Sequence, residues 1–153
     1  MNYTPDSHTV PDLWLDNIGL PELESVATRI IDFAGDFKIW LLEGEMGAGK
    51  TTLVKAIAKQ LGVHGAVQSP TYSLVNEYVG TDRVTIYHFD FYRIKDENEA
   101  MDIGVEEYFD SGNYCLIEWP SQIPSLISGN HLTITITLSN QHQRTIHLSR
   151  HGQ

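Results

Sequence analysis

Apolar positions recur along the chain with two periods, and the switch between them lays out the elements. From Pro21 onward, Leu23, Val26, Ala27, Ile30, Ile31 and Ala34 fall at the i, i+3, i+4, i+7 spacing of one helix face. Pro21 suits the first turn of that helix and Gly35 its C-terminal cap. Leu53, Val54, Ile57, Ala58 and Leu61 repeat the pattern in a second helix, closed by Gly62. Between them, residues 38–42 (KIWLL) form a short apolar run suited to a buried strand. Residues 13–18 (LWLDNI) predict a first strand. Residues 74–78 and 84–91 read as strands separated by the turn GTDR, and residues 114–119 (YCLIEW) as another. Residues 96–109 are expected to be helical with an interruption near Gly104. Residues 132–138 (LTITITL) alternate and pair with 145–148 around SNQHQR as a terminal hairpin. Strand–helix–strand in front and hairpins behind predict a three-layer α/β fold with a mixed sheet and a C-terminal hairpin.

One polar interruption carries chemistry. GEMGAGKTT, residues 44–52, matches G-x-x-x-x-G-K-[ST], follows a strand and opens a helix. Its glycines let the backbone turn tightly against a ligand. The N–H groups from Gly47 through Ala48, Gly49 and Lys50 to Thr51 would then face phosphate oxygens at a helix N-terminus. Glu45 and Met46 complete the loop. Lys50 would reach the β- and γ-phosphates, the Thr51 hydroxyl would ligate Mg²⁺, and Thr52 would touch the α-phosphate. The pattern points to a phosphate-loop NTPase fold.

Such a loop needs an acid for its metal. Residues 114–118 (YCLIE) are an apolar strand ending in Glu118, where the Walker-B carboxylate is expected. A second carboxylate, Asp90, lies in YHFDFYR. By alternation His88, Asp90 and Tyr92 share one face and Tyr87, Phe89 and Phe91 the other. An Asp in an aromatic run costs free energy unless it is paired or used. Asp90 could orient or deprotonate a water, or simply bond to Arg93 or His88. His88 reads as a structural or supporting residue. Arg93 suits a charge stabiliser or a local salt bridge equally. Thr71, after Pro70, could sense the γ-phosphate or close an ordinary turn.

Composition narrows the setting. The 153 residues, 41% hydrophobic and 20% charged, predict a single domain, with residues 1–12 as a loose arm. No apolar run approaches a membrane span, and the first residues lack the basic and apolar regions of a secretory leader. The single cysteine, Cys115, sits in an apolar run, which predicts a reduced thiol and a cytoplasmic protein. The net charge of −10 argues against stable binding of any nucleic acid by the chain alone. Residues 96–110 hold seven acids and no Lys or Arg.

LEGEMGAGKTTL, SPTYSLVNEY, YHFDFYRI, GVEEYF and CLIEWP occur in that order. In these motifs, from about Leu42 to Trp119, the chain resembles the TsaE (YjeE) family of bacterial P-loop ATPases. That resemblance implies ATP and Mg²⁺ as cofactors and TsaD and TsaB as partners. It implies a role in N6-threonylcarbamoyladenosine (t6A) modification at position 37 of tRNA. Within it, Lys50 and Thr51 match the family's loop residues, Glu118 its Walker-B glutamate and Asp90 its HFD aspartate. Glu45-Met46 departs from the usual Asp-Leu, a change that leaves the loop's geometry intact. It also answers how so short a chain could serve a reaction: the substrate domain would belong to the partners. The competing classes are a small-molecule P-loop kinase and a non-catalytic ATP-sensing module. A kinase would want an arginine-bearing lid, yet Arg29, Arg83, Arg93, Arg144 and Arg150 are scattered. The adenine contacts are not legible; residues 19–22 are the suspected segment.

Overall fold

The computed structural model of the protein describes residues 11–70 and 73–152. The elements run β1 (Leu13–Ile18), α1 (Leu23–Ala34), β2 (Ile39–Glu43), α2 (Lys50–Gln60), β3 (Val75–Val79) and β4 (Thr85–Asp90). They continue with α3 (Glu97–Asp102), α4 (Val105–Phe109), β5 (Tyr114–Glu118), β6 (His131–Leu138) and β7 (Arg144–His151). Seven strands make one sheet in the order β1-β7-β6-β2-β5-β4-β3. β2 pairs parallel with β5 and β6, and β4 with β5; the β1–β7, β6–β7 and β3–β4 pairs are antiparallel. The mixed α/β sheet and the C-terminal hairpin are therefore as the sequence predicts.

Alternation along the central strands divides the core. Trp40 and Leu42 of β2, with Leu116, Ile134 and Ile146, meet Val26, Ala27 and Ile30 of α1 and Leu53, Val54 and Ile57 of α2. The opposite face holds Leu41, Phe89, Cys115 and Ile117 against Ala100 of α3 and Val105 of α4. Each fully buried aliphatic or aromatic side chain contributes about 1.5–3 kcal/mol by leaving water. Two apolar faces need two covers, and that demand produces the three layers. Burial also pushes the Cys115 thiol up to about 12, which leaves it protonated and unreactive at neutral pH.

Small departures have local causes. Pro21 does not sit in α1 but in a 3-10 turn, Leu20–Glu22, ahead of it. The chain enters from Gly19 in an extended conformation, and the Glu22 carboxylate accepts the Gly19 N–H at 3.0 Å, which caps this turn first. The strand after YCLIE stops at Glu118, because Trp119 adopts a left-handed backbone (φ 59°). The helical stretch of residues 96–109 is interrupted near Gly104 as expected, giving two short helices. The suggested arm, residues 1–12, lies outside the described residues up to position 10.

Four parallel strands, β2, β4, β5 and β6, end on one edge of the sheet. The glycine-rich loop, Asp90 and Glu118 are all delivered to that edge by topology alone, where α/β sheets place their ligands.

Candidate active site

The loop is held by close approach as much as by flexibility. A Cβ at Gly44 would lie 2.8 Å from the Ile136 carbonyl oxygen and 3.2 Å from the Ala48 Cβ, so a side chain there would drive the loop off β6. Gly49 has φ 104°, a left-handed conformation that favours glycine, and α2 starts at the next residue. The Ala48 N–H closes the turn onto the Glu45 carbonyl at 3.0 Å.

Lys50 is only 6% exposed. Its ammonium donates to the carbonyls of Gly44 and Glu45 and lies 3.7 Å from the centre of the Trp119 ring. Tyr92 backs Trp119 with ring centres 4.9 Å apart. Burial pulls the Lys50 ammonium below its usual range, while the Glu118 and Asp90 carboxylates push it back up. The cation is thus parked at the mouth of its own loop, on a cation–π contact.

Glu118 is the centre of a buried polar chain. The Thr51 hydroxyl donates to its two carboxylate oxygens at 3.1 and 3.0 Å, and His88 Nε2 lies 2.6 Å from Oε2. Ser69 Oγ is 2.8 Å from the Thr51 hydroxyl. Glu118 is 3% and His88 0% exposed, and His88 Nδ1 has no hydrogen-bond partner among the described residues. A carboxylate so buried is costly unless several groups satisfy it. A hydroxyl and a carboxylate converging on one point, both hard oxygen donors, fit Mg²⁺, which takes few protein ligands and fills its shell with water and phosphate oxygens.

Asp90 stands beside Glu118, its direct partner in the parallel β4–β5 register. One of its oxygens accepts the Tyr92 N–H at 2.9 Å. Neither Arg93 nor His88 bonds to it among the described residues, so the structural alternative for this aspartate is not realised. Arg93 is exposed and forms no ion pair among the described residues, so the local salt bridge is not made there. Burial raises the Asp90 pKa and the neighbouring Glu118 adds to the rise, while the Tyr92 N–H and the charges of His88 and Lys50 oppose it.

That shift has a thermal consequence. A raised acid is penalised in the fold whenever it is ionised. The penalty is absent below the ordinary aspartate pKa of 3.8, grows as pH rises through the raised value, and is full above it. Asp90→Asn keeps the Tyr92 bond and removes the charge. It is expected to melt higher than the unaltered chain at pH 7, with the gap closing near pH 3.8; thermal unfolding across pH checks this.

Lys50, Thr51, Ser69, Asp90, Tyr92 and Glu118 line one cavity of about 300 Å³ beside the loop. Met46, Gly47, Gly49 and Thr52 also reach it. A second cavity, of about 340 Å³, lies across Gly49 and Thr52 and is walled by Gly19, Leu20, Pro21 and Arg144. The segment suspected for adenine thus borders the loop. Thr71 lies outside the described residues.

Spacing alone missed four contributors: Ser69, His88 as the Glu118 partner, Trp119 over Lys50, and Arg144, whose Nε donates to the Ala48 carbonyl at 2.7 Å. The last two were visible only as an aromatic ending YCLIEW and as a lone arginine after the hairpin turn. Nothing local says that either meets the loop.

Residues 20–146 match the family model described as "Threonylcarbamoyl adenosine biosynthesis protein TsaE". The chain belongs to the TsaE family. Relatives include the tRNA threonylcarbamoyladenosine biosynthesis protein TsaE of Bacillus subtilis, 37% identical over 125 residues that span 82% of this chain and 77% of that one. The TsaE of Haemophilus influenzae is 40% identical over 95 residues, 62% of this chain and 60% of the other. The crystal structure of Bacillus subtilis YdiB superposes with a TM-score of 0.74 at 30% identity, covering 94% of this chain and 88% of that one. TsaE is thus a family of t6A biosynthesis, and this member keeps the family's α/β fold. No helix among the described residues is long and apolar enough to cross a membrane.

Proposed function

We propose that this TsaE-family chain is a Mg²⁺-dependent ATPase that supports t6A37 modification of tRNA by acting on a TsaB–TsaD transferase in the cytoplasm, without transferring the threonylcarbamoyl group itself. The observation that carries the reading is the convergence at the loop's mouth: Thr51 bonded to Glu118, with Asp90 beside it and free of any side-chain partner among the described residues.

In this reading the loop N–H groups from Gly47 to Thr51 hold the phosphates. Lys50 exchanges its loop carbonyls for β- and γ-phosphate oxygens, an ammonium already desolvated and aimed there. Thr51 and Glu118 would hold Mg²⁺, which supplies charge neutralisation of the phosphates when bound. His88 keeps the Glu118 carboxylate turned toward Thr51. Asp90 accepts a proton from the attacking water, and its raised pKa moves it toward the range of a useful base. The base of the nucleotide would enter the second cavity, where Leu20 and Pro21 offer apolar surface next to Thr52. An ATP-sensing module would need Lys50 and Thr51 but no partially desolvated aspartate beside the metal site, so Asp90 favours catalysis. Thr71 is kept as a candidate sensor of the γ-phosphate.

The cellular role is testable directly. Cells lacking this protein are expected to hold tRNA depleted in t6A, restored by the unaltered gene and not by Lys50→Ala. Full t6A in the absence of the protein would exclude the role.

A further inference from the structure

Arg144 opens β7 immediately after the hairpin turn. β6 runs parallel to β2, so its C-terminal end lies beside the glycine-rich loop, and the first residue of the returning strand lies there too. The Arg144 Nε–H donates to the Ala48 carbonyl at 2.7 Å, bridging 96 positions of sequence. Among the described residues this is the one hydrogen bond of its side chain, and it forms no ion pair. Its guanidinium also borders Gly49, where an added Cβ would lie 3.8 Å from Nε.

A peptide unit is planar and trans, so the Ala48 C=O and the Gly49 N–H point in opposite directions. Fixing the carbonyl outward on Arg144 therefore turns the Gly49 N–H inward. Ala48 is pinned from its other side, with its methyl group buried next to Gly44. The Ala48–Gly49 peptide would otherwise be the easiest in the loop to flip, because Gly49 tolerates either sign of φ.

We infer that Arg144 is a positioning residue of the nucleotide site, holding the Ala48 carbonyl so that the Gly49 N–H faces the phosphates. The C-terminal hairpin is then part of the phosphate-binding apparatus, and the arginine acts on the phosphates through the loop. Its unpaired charge also sits behind that peptide, where it favours an anion in the loop. The inference rests on reading the loop as a nucleotide site.

Calorimetric titration with Mg-ATP and with Mg-tripolyphosphate, which lacks base and ribose, tests it. Arg144→Met, which keeps the aliphatic stem and has no donor for the Ala48 carbonyl, is expected to weaken both ligands by about tenfold or more, the worth of one charge-assisted hydrogen bond. Its melting temperature should stay close to that of the unaltered chain. Arg144→Lys, whose ammonium can reach the same carbonyl, should recover most of the loss, which a merely structural role would not allow. If Arg144→Met is unfolded, Arg144→Leu, which also lacks a donor, takes its place with the same expectation. Tripolyphosphate binding unchanged in the Met or Leu variant, with or without a loss of ATP, would overturn the inference. Binding of neither ligand by the unaltered chain would overturn the nucleotide reading instead.

Discussion

Lys50→Ala is expected to leave a folded protein that hydrolyses no ATP and binds it at least about tenfold more weakly, since a charge-assisted contact is worth roughly 1.5–3 kcal/mol. The fold should survive because, among the described residues, the ammonium bonds only to the Gly44 and Glu45 carbonyls and the Trp119 face, all within the site. Removing it also removes the cost of burying a cation that burial itself disfavours. Calorimetry with Mg-ATP and circular dichroism measure the two halves. Near-normal hydrolysis by a folded Lys50→Ala protein would sink the assignment of the loop.

The two carboxylates should separate. Glu118 is bonded to Thr51 and His88 inside the site, whereas Asp90, among the described residues, accepts only a backbone N–H. Glu118→Gln keeps a hydrogen-bonding shape but loses the charge a divalent cation needs. It is expected to weaken Mg²⁺-dependent nucleotide binding by about 10–100-fold, as disturbing even a supporting group of a metal site does. Asp90→Asn is expected to bind Mg-ATP normally and hydrolyse it on the order of 10²–10⁴-fold more slowly, the usual worth of a general base. Equal loss of binding in both would make Asp90 a metal or structural group.

The features legible in the sequence were those with a local or periodic cause. The glycine pattern of residues 44–52 announces its own loop, and the unbroken apolar run through Trp40, Leu41 and Leu42 announces a buried strand. Glu118 could be placed because it ends an apolar strand, and Asp90 stood out as a carboxylate inside an aromatic run; that it ends β4 directly beside Glu118 is shown by the structure. Contacts that depend on how distant segments meet were not legible. Arg144 reaches Ala48 only because β6 and β7 fold back beside the loop. Trp119 covers Lys50 only because its backbone turns left-handed after β5. The bond of His88 to Glu118 follows from the β4–β5 register, which alternation can suggest but not fix.

The most direct measurement is phosphate release from Mg-ATP by the purified chain, alone and with TsaB–TsaD at increasing ratio. No arginine among the described residues lines the cavity that holds Lys50, Asp90 and Glu118. Supplying such a group in trans is worth on the order of 10³-fold or more where it operates. The predicted result is slow hydrolysis alone, a large acceleration with TsaB–TsaD, and no acceleration for Asp90→Asn. Absence of phosphate release under both conditions, from a protein that binds Mg-ATP, would contradict the account.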